Sequence, residues 1–304
     1  MGKPLISLIG TPDRRLALIL GGGGARGGAH LGVLAIMEEV GVPIDLMVGT
    51  SIGGVIGVLY AAGYSVAAIA EALGRKTLWD VLGPDPSGQA LLGSRRLRAL
   101  LLQLLGRRTF ADLTIPCMVV ATDLTTCREA ILAQGSLVEA LLATTALPGL
   151  FPPVERAGSL LVDGGLLNNL PIDIARRWGA KKVIAVNLDV VERQFSPTDA
   201  IAPAWHWPDP LPRAAIASAD RALRLLLAQL TTLHLAQMPA DVLLEPAVAH
   251  VGTFSMGQFA AAQVAGESAA RAAREQLAAL RAWHESGTAV GLQRRDEPVG
   301  TISG

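Results

Sequence analysis

The first regular feature of the chain is an unbroken apolar run, Leu16 to Leu20. A strand buried on both faces of a parallel sheet needs such a run, with no polar alternation. It stops at Gly21-Gly22-Gly23-Gly24, and the spacing then turns helical. Val33, Leu34 and Met37 share one face of a helix predicted to reach about Val40, with Gly41 as its C-terminal stop. Ile44 to Val48 reads as the next strand, followed by a tight turn at Gly49-Thr50-Ser51-Ile52-Gly53 and a second helix. Cys117–Thr122 and Lys182–Leu188 are further strands. Ala214–Gln237 and Phe254–Trp283 are helical and flank a short strand at Asp241–Leu244. Strand–helix alternation of this kind predicts an α/β layered sheet.

Composition sharpens the picture. Of 304 residues, 51% are hydrophobic and 17% charged, below the roughly 25% charge usual for globular domains. Equal numbers of basic and acidic residues, 26 each, leave no cationic field for nucleic acid. Leu46 to Leu73 carries only Glu71 as a charge and would pass a hydropathy window for a membrane span. Five glycines (Gly49, Gly53, Gly54, Gly57 and Gly63) interrupt it, so it reads as buried strand, turn and helix. The apolar stretch Leu5–Ile9 is too short for a secretory signal, and Ile6 breaks the myristoylation pattern. Cys117 and Cys127 make no disulfide framework, and no Cys/His cluster has metal-site spacing. The expectation is a soluble cytoplasmic protein, with peripheral membrane contact left open.

Three motifs carry candidate chemistry. Gly49-Thr50-Ser51-Ile52-Gly53 is a G-x-S-x-G between strand and helix, a turn that lifts a serine hydroxyl above the sheet edge. The alternative is a Gly-rich buried turn with a chance serine. Gly21 to Gly27 follows a strand and opens a helix, so its amides can cradle an anion, either a pyrophosphate or the oxyanion of acyl transfer. Read as G-x-G-x-x-G, Gly22, Gly24 and Gly27 match the dinucleotide fingerprint, with Asp45 roughly 20 residues on, although Asp45 does not end the second strand. Asp163-Gly164-Gly165 follows the apolar Leu160-Leu161-Val162. It is either a carboxylate placed to accept a serine proton or simply a turn.

In this order the three motifs resemble the patatin-like phospholipase family. The flanks Leu147-Pro148-Gly149-Leu150-Phe151-Pro152-Pro153 and Asn168-Asn169-Leu170-Pro171, with Gly179-Ala180, are most similar to bacterial members akin to the neuropathy-target-esterase catalytic domain. The resemblance spans about residues 16–190. It implies a three-layer α/β fold with a mostly parallel central sheet flanked by helices. One domain is then expected over 1–285, with its helical C-terminal part at about 214–285 and a flexible tail at 286–304. The resemblance also implies a Ser–Asp dyad, Ser51 as nucleophile and Asp163 as general base. The oxyanion hole would be made by the amides of Gly22, Gly23 and Gly24, with Arg26 positioning that loop. Gly27, Gly49, Gly53, Gly164 and Gly165 are the supporting motif residues. Gly54 departs from the family, which commonly carries Ala there.

The implied activity is hydrolysis of fatty-acyl esters of phospholipids or lysophospholipids through an acyl-enzyme, without metal or organic cofactor. Two other classes stay open: a non-catalytic lipid-binding or regulatory protein, and a dinucleotide-dependent oxidoreductase. Chain order would allow a triad through His206, His234, His250 or His284, yet none has a Gly-rich strand-end context, and His30 reads as helix packing. Residues 75–110 hold seven basic residues against Asp80 and Asp85, a local charge of +5. Within them Ser94 can cap a helix with the stripe Leu97, Leu100, Leu101, Leu104 and Leu105. That segment is a lid, a membrane-docking element or a cover for the core. Oligomeric state is not legible.

Overall fold

The computed structural model describes residues 14–74, 90, 92–189 and 213–293. Its sheet comprises β1 (Leu16–Leu20), β2 (Leu46–Thr50), β3 (Cys117–Asp123), β4 (Arg128–Leu132), β5 (Val154–Arg156), β6 (Ser159–Asp163), β7 (Lys182–Val186) and β8 (Val242–Leu244). The order is β5-β6-β3-β2-β1-β7-β8, with β4 also paired to β3. From β3 through β8 the pairing is parallel, while β4, β5 and β6 join antiparallel. Around it lie α1 (Gly28–Val40), α2 (Ile52–Ala61), α3 (Val66–Gly74), α4 (Arg95–Leu105), α5 (Leu137–Thr144), α6 (Ile172–Arg177), α7 (Arg213–Gln237), α8 (Phe259–Ala272) and α9 (Arg274–Gln293).

The continuous apolar strands are explained by two cores. Leu16, Leu18 and Leu20 point into the larger one with α1, α2, α5 and α8. Ala17 and Ile19, on the other face, pack with Leu46, Val48, Met118 and Val120 against Ile172 and Ile174 of α6. Period-two alternation between two buried layers leaves no polar position in β1. Three layers, with a mostly parallel sheet in the middle, follow directly.

Several boundaries differ from expectation. Residues 24–27 form a short 3-10 turn before α1. β2 begins two residues later than the apolar pattern suggests, because Asp45 sits at its start, its carboxylate accepting Leu16 N–H (2.8 Å). The C-terminal helical region divides at Ala273. α9 continues to Gln293, so residues 286–293 are helical rather than irregular; 294–304 lie outside the described residues. β4 and the β5–β6 hairpin, half-exposed, lack the long apolar run that marks the central strands. No helix among the described residues is long and apolar enough to cross a membrane.

Candidate active site

Ser51 stands between β2 and α2 with φ 54° and ψ −126°, a conformation that L-residues rarely adopt. The turn is tight enough that a Cβ on Gly49 would lie 2.6 Å from the Gly53 carbonyl carbon, and one on Gly53 would lie 2.1 Å from Leu20 O. Gly57, one turn on, has ordinary contacts, the nearest being 3.6 Å from Leu20 Cδ1. Gly53 and Gly57, small residues at i, i+4 spacing, are therefore two different positions. Gly53→Ala is expected to destabilise the fold by about 2–4 kcal/mol through forced backbone movement. Gly57→Ala is expected to be neutral or stabilising by up to about 1 kcal/mol from helix propensity. Urea unfolding of the two variants checks this; equal costs would mean the turn is not the tight point.

Sheet register brings the carboxylate to the serine. β4 pairs with residues 119–123 of β3, so it takes one edge alone, and β2 and β6 must share the other. Along that shared edge Thr50 lies opposite Val120 and Asp163 opposite Ala121. β2 runs parallel to β3 and β6 antiparallel, so their C-terminal ends meet at this point. There Ser51 Oγ donates to Asp163 Oδ2 at 2.6 Å, and Gly165 N donates to Asp163 Oδ1 at 2.8 Å. A Cβ on Gly164 would be 2.2 Å from Val120 O, so the chain turns away only as glycine. The gap in the ladder is bridged by Thr144, whose Oγ1 accepts Ser51 N–H (2.9 Å) and donates to Val120 O (2.5 Å). Burial pushes the Asp163 carboxyl up to about 6, against the downward pull of the Ser51 and Gly165 hydrogen bonds, and the charge of Asp189 adds to the rise.

The glycine loop after β1 is fastened on both sides of two free amides. Gly21 N donates to Val186 O (3.1 Å) and Ala25 N to Thr253 O (2.8 Å). Gly22 N donates to Asn169 O (3.2 Å), which corrects the expectation that three glycine amides face an anion: this one is already taken. Among the described residues the amides of Gly23 and Gly24 donate to no other group, and both are partly exposed. Arg26, fully buried, donates through Nε to Gly23 O (3.0 Å) and through Nη1 to Leu188 O (2.7 Å). In a trans peptide the N–H points opposite the C=O, so holding Gly23 O turns Gly24 N–H away from Arg26. Burial lowers Arg26 to about 10, Arg224 adding to the fall while Asp189 and Asp220 oppose it, so it stays charged at neutral pH. A Cβ on Gly27 would meet Ile52 Cγ1 at 2.4 Å, so this glycine lets the loop pack against the start of α2.

Three supporting residues have no signal of their own in the sequence reading. Thr144 is one. Asn169 lies in the Asn168-Asn169-Leu170-Pro171 flank, but its contacts are long-range: Nδ2 donates to Asp189 Oδ2 (2.5 Å) and to Gly22 O (3.4 Å). Asp189 also accepts from Thr231 of α7 (2.9 Å), tying that helix to the loop.

The histidines lie elsewhere. His30 Nε2 meets Gly21 O at 2.7 Å, and burial holds the ring at about 4, opposed by that bond; it is neutral and donates. His284 contacts Asp45 (2.9 Å), at the opposite end of β2 from Ser51. None of His30, His234, His250 and His284 lines the cavity at Ser51, and His206 lies outside the described residues. Asp45, at the start of β2, faces away from the glycine loop at the end of β1, which removes the acidic partner of the dinucleotide fingerprint. Among the described residues no group of three or more His, Cys, Asp or Glu could hold a metal.

Ser51, Asp163 and the free amides open into a cavity of about 180 Å³ walled by Val55, Leu73, Leu97, Leu100, Leu223 and Leu227. The apolar stripe of α4 is turned inward: Leu101 and Leu105 are buried and Leu97, Leu100 and Leu104 pack on the core. Arg95 and Arg96 point outward, and Arg98 pairs with Glu139. That stripe is accordingly a cavity wall and core cover. Residues 75–89, which hold Arg75, Lys76, Asp80 and Asp85 of the basic segment, lie outside the described residues.

Residues 18–176 match the family description patatin-like phospholipase. The chain is 41% identical over 182 residues to the mouse protein named patatin-like phospholipase domain-containing protein 6, covering 57% of this chain and 13% of that protein. It is 35% identical over 281 residues to an uncharacterized NTE family protein of Mycobacterium tuberculosis, covering 86% of this chain and 46% of that protein. The chain thus spans less than half the length of either relative. The crystal structure of VipD from Legionella pneumophila aligns with a TM-score of 0.50 at 16% identity, over 90% of this chain and 68% of that one, a likeness of fold.

Proposed function

The chain belongs to the patatin-like phospholipase family, and on that premise we propose that it is a serine acyl hydrolase cleaving fatty-acyl esters of phospholipids or lysophospholipids. The observation that carries this reading is the 2.6 Å contact from Ser51 Oγ to the buried Asp163 carboxylate at the floor of an apolar cavity. Ser51 Oγ attacks the ester carbonyl carbon while Asp163 Oδ2 takes its proton. The carbonyl oxygen, now an oxyanion, receives the free N–H groups of Gly23 and Gly24. Collapse of this intermediate expels the alcohol, which recovers the proton from Asp163, and leaves the acyl group on Ser51. Water then attacks the acyl-enzyme, Asp163 again accepting the proton, and Asp163 returns it to Ser51 Oγ as the fatty acid leaves. The leucine walls accept the acyl chain.

An alkyl fluorophosphonate is expected to label one peptide, the one containing Ser51. Lysophosphatidylcholine or phosphatidylcholine is expected to release free fatty acid in the presence of a chelator. Labelling mapped to any other residue, or no fatty acid released from either lipid, would sink the proposal.

A further inference from the structure

We infer that the outward face of α7 docks on a lipid bilayer and so delivers substrate to the cavity on the helix's other side. The inference rests on the proposed lipid hydrolysis. Leu226, Leu230 and Leu233 follow i, i+4, i+7 spacing and share one face. They are 63%, 37% and 58% exposed, and neighbouring Leu225 is 50% exposed. From Leu225 to Met238 the sequence contains no Asp, Glu, Lys or Arg. A helix bathed in water carries charges on its outer face, as α4 does with Arg95 and Arg96. α7 instead offers leucine over roughly 12 Å of its length, within an uncharged stretch of roughly 20 Å. An apolar stripe of that extent marks an interaction site.

The other side of the same helix decides which occupant fits. Leu223 and Leu227 line the cavity that holds Ser51, and Thr231 holds Asp189 beneath the glycine loop. A long-chain lipid leaving a bilayer beneath α7 therefore meets Leu223 and Leu227 of the same helix at the cavity wall, where Asp220 and Arg224 also line it. A protein partner needs polar groups to set register, about one hydrogen bond per 100–200 Å² with a polar rim. A fluid hydrocarbon phase needs none and takes the leucines, with the uncharged Gln229, Thr232 and Gln237 beside them at its polar boundary. Lacking charge, this contact should be insensitive to salt and to anionic lipid.

The test uses the full chain, Ser51→Ala to prevent turnover, and phosphatidylcholine vesicles. Ser51→Ala is expected to co-sediment with the vesicles equally at low and high salt. Adding Leu226→Gln and Leu233→Gln should lower vesicle partitioning tenfold or more. In the active background the same two substitutions should lower hydrolysis of vesicle lipid to a similar degree and leave hydrolysis of a soluble short-chain ester unchanged. Undiminished binding by the double variant overturns the inference. So does a dimer that the substitutions split into monomers, which assigns the face to a second copy. A monomer that ignores vesicles also overturns it. Wild type inert toward every ester, with vesicle binding intact, would instead sink the proposed function and spare the docking face.

Discussion

Ser51→Gly and Ser51→Ala are both expected to lose hydrolysis by roughly 10,000-fold or more and to lose fluorophosphonate labelling, yet to differ in stability. Each removes the hydroxyl and its bond to Asp163, so the chemistry cannot tell them apart. The backbone can. At φ 54° and ψ −126° a Cβ is strained, and only glycine removes it. Relief of about 1–3 kcal/mol of strain outweighs the roughly 0.5–1 kcal/mol that glycine loses through unfolded-state entropy. Ser51→Gly should therefore be the more stable of the two by about 1 kcal/mol. Paired denaturant curves measure this difference with no assumption about substrate. Equal stability would mean that the turn stores no strain, and retained activity in either variant would remove Ser51 from the mechanism.

How much of this could be read from the chain depended on the range of the interaction. The turn around Ser51 is local: strand, small residues and helix follow one another, and the close approaches of Gly49 and Gly53 are the physical reason for their spacing. Asp163-Gly164-Gly165 was legible as a strand-end acid, but not its meeting with Ser51. That follows from β2 and β6 sharing one edge of β3: pairings about 70 and about 40 residues apart together bring into contact two side chains 112 residues apart in the chain. Thr144 is invisible for the same reason, since it is one of two adjacent threonines and only the break in the ladder gives it work. Gly22 looked equivalent to Gly23 and Gly24 until the Asn169 carbonyl took its amide. The leucine stripe of α4 was correctly periodic, but periodicity identifies a face and not what the face meets. On α4 it meets the core. On α7 an equally apolar face is left outward.

Asp163→Asn is expected to separate activity from stability. The amide preserves the shape: its oxygen can accept Gly165 N–H and its nitrogen can face Ser51, but it takes no proton. Hydrolysis should fall by about 100- to 10,000-fold, the range for a lost general base. In wild type the carboxylate acts only when ionised. With Asp163 pushed up to about 6, chiefly by burial, activity should rise with pH and reach half its plateau near pH 6. Stability runs the other way. The folded carboxyl titrates at about 6 and the unfolded one at the ordinary 3.8, so the stability its neutral form contributes is whole below about pH 4 and lost as pH climbs through 6. Two pKa units correspond to about 3 kcal/mol. The asparagine variant carries no such titration. Its melting temperature should exceed that of wild type at pH 8, and the difference should close by pH 4. A wild-type rate that stays flat from pH 8 down to pH 5 would show that Asp163 is not the base. A melting difference independent of pH would show that its charge is not buried at a cost in the folded state.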